Sequence, residues 1–134
     1  MVDMNKTQQG SWAENLALAH LQAKGLVLVA RNYKTPGRGG GEVDLIMQEP
    51  ASHAKEEATL VFVEVRQRAN ASHGGAAASV GASKQRRVIF AARYYLLRLP
   101  KVPPCRFDVV SIEGDLSHAP QLVWMTGAFE APSF

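Results

Sequence analysis

Two carboxylates set inside short apolar runs constrain this chain more than any other feature of its sequence. Glu42-Val43-Asp44-Leu45-Ile46-Met47 and Leu60-Val61-Phe62-Val63-Glu64-Val65-Arg66 both read as β-strands, the second rich in β-branched and aromatic residues. An acid buried in such a strand is costly unless its charge is compensated. Side chains alternate with period two, so Glu42, Asp44 and Ile46 share a face, as do Phe62, Glu64 and Arg66. The connection over 48–59 is polar and suits a long hairpin. Antiparallel pairing with Asp44 opposite Glu64 brings the two carboxylates together at about 5.5 Å between β-carbons. Two readings follow. A divalent cation such as Mg²⁺, which favours carboxylate oxygens, waters and phosphate, relieves the repulsion. Alternatively the acids belong to a structural charge cluster, since the same register sets Glu42 against Arg66.

The segments around this pair specify the rest of an α/β domain. Trp12, Leu16, Ala19 and Ala23, with Ala13, Ala17 and Leu21, recur at helical spacing over 11–24. Ser11 is placed to cap that helix with Glu14 in capping-box register, and Gly25 to end it. Leu26 to Ala30 is a short apolar strand followed by polar residues 31–34. The Gly-rich loop 35–41 precedes a strand instead of opening a helix, so it is not a dinucleotide fingerprint. A small-residue loop over 69–83 leads to a helix capped by Ser83 and running to about Leu99, with Val88, Ala92, Tyr95, Leu96 and Leu99 as its buried stripe. Strands follow at 106–112 and 121–125. The order is α-β-β-β-α-β-β in one domain over 1–134, with a core from about 10 to 129 and no internal repeat.

Charge is segregated along the chain. The net charge is +3, yet the residues between Glu64 and Asp108 hold nine bases and no acid. Arg86, Arg87, Arg93 and Arg98 fall outside the buried stripe of the second helix, with Tyr94 among them. Such a face suits a phosphate backbone, the alternative being a solvated helix with no ligand. Lys84, near the helix start, either approaches the acids or stays in solvent. Cys105 is the sole cysteine, which excludes an internal disulfide and a Cys-x-x-Cys metal site. His20, His53, His73 and His118 lack ligand spacing. No apolar run reaches the roughly 18 residues of a membrane span, and the first residues lack the order of a secretory signal. A cytoplasmic protein without a membrane partner is expected.

The string Gly41-Glu42-Val43-Asp44-Leu45-Ile46, followed by Val61-Phe62-Val63-Glu64-Val65-Arg66-Gln67-Arg68, resembles the central signature of the YraN-like family. That family is uncharacterised and is assigned to the restriction-endonuclease-like, or PD-(D/E)xK, fold, with Holliday-junction resolvases among its relatives. Ala13-Glu14 with Ala17 and Leu21, Arg31-Asn32, Lys84 with Arg87-Val88-Ile89 and Ala92, and Arg106-Phe107-Asp108-Val109-Val110 extend the likeness over residues 10 to 129 or so.

The resemblance implies a mixed central sheet flanked by helices and a Mg²⁺- or Mn²⁺-dependent nuclease acting on DNA, including branched or processed DNA. It makes Asp44 and Glu64 catalytic metal ligands, with the Val65 carbonyl as a further one and Glu14 reaching in from the first helix. On the charge pattern, Lys84, Arg86, Arg87, Arg93 and Arg68 would contact nucleic acid, and a homodimer is the assembly that resolvase-like relatives suggest. The chain departs from the pattern at Arg66, where the motif has lysine. Arginine does not lose its proton, so Arg66 can orient phosphate but is a poor base. A non-catalytic nucleic-acid-binding module and a protein-interaction domain therefore stand beside the nuclease as alternatives.

Overall fold

A computed structural model describes residues 6–68, 80–114 and 119–132, leaving aside the side chains of 6–9 and 68. Its elements are α1 (Lys6–Ala23), β1 (Val27–Lys34), β2 (Glu42–Glu49), β3 (Thr59–Arg68), α2 (Ala82–Leu96), β4 (Cys105–Glu113) and β5 (Gln121–Phe129). The order is the one expected. Most of the loop anticipated over 69–83, and Arg68 beyond its backbone, lie outside the described residues.

The five strands form one sheet in the order β1-β2-β3-β4-β5. Neighbours joined by direct connections pair antiparallel, whereas β3 and β4 pair parallel. A parallel pair needs a crossover, and α2 supplies it. Two apolar layers cover the two faces. Ala13, Ala17 and Leu21 of α1 pack with Leu45, Met47, Val61, Val63, Val110 and Ile112. Val88, Ile89, Ala91, Ala92, Tyr95 and Leu96 of α2 pack with Val43, Ile46, Leu60, Phe62 and Phe107. Central strands buried on both faces carry near-continuous apolar runs, as β3 and β4 do.

Both helix starts differ from expectation. α1 begins at Lys6, so Ser11 lies within the helix and caps nothing. α2 begins after Gly81, with Ser83 in its first turn and no side-chain cap. Polar residues signal a cap only where the backbone turns, and here it turns earlier. The α1 stop is as expected. Gly25 takes φ +98, its N–H donates to the Gln22 carbonyl, and the Leu26 N–H donates to that of Leu21 at 3.0 Å. These two bonds form a Schellman motif, and Leu21 and Leu26 meet in the α1 layer.

Alternation breaks along β2. Val43 and Ile46 pack under α2, but Leu45 and Met47 pack under α1. An odd spacing separates the first two, so the strand changes face near Asp44. In β1 the pairs Arg31↔Leu45 and Tyr33↔Val43 enclose Asn32, whose φ is +50. Asparagine tolerates that left-handed conformation better than most residues. Asp44 therefore sits at a kink, where its side chain is released from strict alternation.

Gly41 ties β2 to α2. A β-carbon there would run into the Arg87 carbonyl oxygen and the Ala91 amide of the helix backbone. Its N–H donates to the buried Thr35 hydroxyl at 2.7 Å, which closes the Gly-rich loop. Gly10, in α1, has open space around it. Gly41→Ala is expected to destabilise the fold by about 1–3 kcal/mol through overpacking. Gly10→Ala is expected to stabilise it by about 0.4–1 kcal/mol, because alanine leaves fewer unfolded conformations. Urea unfolding of both variants checks the opposite signs.

Candidate acidic site

The β2–β3 ladder runs from Glu49↔Thr59 to Leu45↔Val63. One further step in that register carries Asp44 to Glu64, as the strand pattern anticipates. In place of a continued backbone bond, the Val65 N–H donates to Asp44 Oδ2 at 2.8 Å. The Asp44 carboxylate thus ends the ladder and is held against β3. Glu64 is only 2% exposed. Its Oε1 lies 3.4 Å from Lys84 Nζ, while its Oε2 is buried without a hydrogen-bond partner among the described residues.

The two acids perturb each other. Burial, followed by the neighbouring Asp44 charge, pushes the Glu64 carboxyl up to about 8. Burial also raises Asp44, with the Glu14 charge adding to it and the Val65 N–H opposing it. Once one of the pair is protonated, the two side chains can hydrogen-bond to each other. The arrangement is a carboxylate pair with charge left to neutralise.

Lys84 is the cation of the site. Beyond Glu64 it donates to Glu42 Oε1 at 3.2 Å. Burial works against its charge, but Glu64, Glu42 and Asp44 together raise its pKa. It is therefore a fixed ammonium at neutral pH, not a proton acceptor. Its position follows from α2, whose first turn brings Lys84 over the ends of β2 and β3. The lysine absent from position 66 of the motif thus has a counterpart from the helix.

Glu42 does not face Arg66 in an ion pair. Lys84 and Arg87, each 3.2 Å from Oε1, hold it. Burial opposes its ionisation, but these cations and Lys34 outweigh that and lower its pKa. The β2–β3 ladder ends before reaching residue 42, so the extrapolated Glu42–Arg66 pairing is not made. Arg66 lies two residues beyond Glu64 on β3, and its charge favours ionised Glu64. Its buried Nε has no hydrogen-bond partner among the described residues.

Glu14 approaches the acids from α1, close enough to raise Asp44. Its own partner is Arg31 of β1, with Nη2 3.4 Å from Oε1. Because α1 starts before Ser11, the capping-box alternative falls away. Arg31 had no signal in the sequence beyond its place before Asn32. Arg86 and Arg93 are exposed on the solvent side of α2, away from the pair.

A second buried acid shows what structural compensation looks like. Asp108 on β4 is 0% exposed. It accepts from Arg106 Nε and Nη2, from Trp124 Nε1 and from the Gly127 N–H, all at 2.9–3.0 Å. Arg106 also binds Glu49. The Gly127 bond fills the irregularity where the β4–β5 register shifts after Phe107. Asp108 needs nothing more, whereas Glu64 keeps an orphaned oxygen. Cys105 is inert by comparison: burial raises its thiol pKa, and the thiol donates to the Pro103 carbonyl.

A Mg²⁺ or Mn²⁺ ion fits this donor set. The orphaned Glu64 oxygen and the adjoining Asp44 carboxylate offer two hard oxygen donors. Among the described residues no three His, Cys, Asp or Glu side chains gather into a cage. Two carboxylates, with waters and substrate oxygens completing the shell, suit Mg²⁺ in particular. Among the described residues no helix is long and apolar enough to cross a membrane.

The sequence profile of the uncharacterised protein family UPF0102 matches residues 13–112. A UPF0102 protein of Albidiferax ferrireducens is 60% identical over 124 residues, covering 92% of this chain and 88% of the relative. One from Verminephrobacter eiseniae is 57% identical over 125 residues, covering 93% and 80%. Another from Paracidovorax citrulli is 57% identical over 122 residues, covering 91% and 82%. None of these names states an activity.

The raised Glu64 pKa sets a pH dependence. The unfolded chain loses this proton near 4.5, the folded chain near 8. Between those values the unfolded state binds fewer protons, so stability falls as pH rises and levels off above about 8. In chelator, the wild-type protein is expected to lose on the order of a few kcal/mol across this window. Glu64→Gln is expected to flatten the slope. Urea midpoints measured from pH 4.5 to 8.5 test both statements.

Proposed function

The chain belongs to the uncharacterised protein family UPF0102, the YraN-like family its motifs resemble, and from its acidic site we propose a divalent-metal-dependent endonuclease acting on DNA. The observation that carries this reading is the orphaned Glu64 oxygen beside Asp44, under a helix whose charged residues are all basic. A protein that only needed a stable sheet would compensate Glu64 as it compensates Asp108.

Asp44 and Glu64 would hold Mg²⁺ or Mn²⁺, with the Val65 carbonyl as a further ligand. When bound, the ion supplies charge neutralisation on the phosphodiester and acidification of a water. The chain's own groups do the rest. Val65 fixes Asp44 through its N–H, so the carboxylate is oriented in advance. Lys84 holds a positive charge beside Glu64, where a phosphate arriving at the pair meets it. Arg66, whose buried Nε has no partner among the described residues, would orient a phosphate oxygen through its guanidinium. Arg31 keeps Glu14 paired, which limits further negative charge near Asp44. Arg87 shares the neutralisation of Glu42 with Lys84 and, with Arg86, adds positive potential along α2.

A second reading, a nucleic-acid-binding module without turnover, is favoured by one observation. Lys84 already neutralises part of Glu64, so the site stands folded with its own cation. Cleavage assays separate the two. Wild type is expected to cut DNA with Mg²⁺ or Mn²⁺, and Asp44→Asn and Glu64→Gln to lose both cutting and divalent-ion binding. Lys84→Met is expected to slow cleavage on the order of a hundredfold, as loss of a preorganised charge does. Arg66→Lys is expected to change the rate by less than about fivefold, since Lys84 already supplies the cation and lysine keeps the charge. DNA binding that persists in Asp44→Asn, with no cleavage by wild type under either metal, would establish the non-catalytic module instead.

A further inference from the structure

The solvent face of α2 is unusual in being both apolar and basic. Phe90, Tyr94 and Leu97 are 53%, 42% and 80% exposed. They recur at i, i+4 and i+7, so they form one stripe. Arg86, Arg87 and Arg93 lie on the same side, and α2 contains no acidic residue. At its far end, Tyr33, Tyr94, Leu97 and Arg98 line a shallow pocket of about 340 Å³. The Arg98 guanidinium lies 4.8 Å from the Tyr95 ring centre and 5.9 Å from that of Tyr33. The near end of the helix holds Lys84 and Arg87 against the acidic site.

We infer that this face binds an unpaired stretch of nucleic acid, with a base stacked on Tyr94 in the pocket at the end of α2 and the arginines following its phosphates. Flat rings beside cations, in a positive strip, are what single-strand recognition requires. Charge selects this occupant over a second copy of the chain. Two α2 faces packed together would oppose arginine to arginine with no acid on either helix. The inference rests on the nucleic-acid reading above and extends it to a substrate class. Ten residues separate Lys84 from Tyr94, about 15 Å of helix. At the roughly 3.4 Å per nucleotide of a strand that stays stacked as in a duplex, the base on Tyr94 lies about four to five nucleotides from the acidic pair, and fewer for a more extended strand. The favoured substrate is therefore duplex DNA with an unpaired flap or tail beside the cut.

Fluorescence anisotropy in EDTA tests this without requiring cleavage. The probes are labelled oligothymidylate of about 15 nucleotides, a blunt duplex of that length, and the duplex with an unpaired tail. Wild type is expected to bind the tailed duplex about tenfold tighter than the blunt one. Phe90→Ala/Tyr94→Ala is expected to erase that margin and leave blunt-duplex affinity within about twofold, with an unchanged melting temperature. Tyr94→Trp should keep the margin, and its added fluorescence should be quenched by oligothymidylate, which gives a readout independent of the double variant's folding. Equal affinity of wild type for tailed and blunt duplexes would overturn the inference, as would a margin that survives in a folded double variant. So would a wild-type dimer that Phe90→Ala/Leu97→Ala converts to monomers, which would assign the face to a second copy. Single-strand binding lost in the double variant, with no metal-dependent cutting by wild type, would refute the nuclease and sustain this site.

Discussion

A carboxylate removed from water inside a sheet must be neutralised, and the arrangement around Glu64 follows from that requirement. The chain answers it in two ways within adjacent strands. Asp108 on β4 receives a bidentate arginine, an indole N–H and a backbone amide, and is closed to further partners. Glu64 on β3 receives one lysine, a neighbouring acid and the charge of Arg66 two residues along the strand, and retains an oxygen with no partner among the described residues. Incomplete compensation costs stability. Under the proposed function, that cost is offset when a divalent ion binds.

The surrounding architecture holds the two acids in that uneasy proximity. The face change near Asp44, with Asn32 in a left-handed conformation beside it, frees the Asp44 side chain to take the Val65 N–H. Gly41 lets α2 approach the start of β2 backbone to backbone. That close approach brings the first turn of α2 over the strand ends, so Lys84 reaches Glu42 and Glu64 together. Without a small residue at position 41 the helix would stand off, and the ammonium with it. Packing of the helix and electrostatics of the site are one constraint.

The same helix divides its faces by task. Its inward side fills the layer over Phe62 and Phe107, where aromatic rings stack. Its outward side carries arginines, rings and an exposed leucine that contribute nothing to that layer. Large apolar side chains left in solvent are unfavourable unless something covers them. The position of this strip, continuous with the acidic site, links what the helix presents to what the carboxylates can do.

Much of this was legible in the residues alone. Strand and helix order and the basic character of α2 follow from hydrophobic period and charge distribution, which are local properties, while the meeting of Asp44 with Glu64 follows only once an antiparallel register between their strands is taken. Lys84, Glu14 and Glu42 were ambiguous because their partners are remote. Lys84 meets Glu64 from twenty residues away, Glu14 meets Arg31 across a helix–strand contact, and Glu42 turns to α2 because the ladder stops at Leu45. The apolar pattern of β4 did not distinguish a saturated Asp108 from an unsaturated Glu64. Residue types and hydrophobic period establish which groups carry charge and which segments bury them. Which charges meet is set by three-dimensional packing, because ion pairing depends on distances of a few ångströms between chain segments that hydrophobic periodicity does not specify.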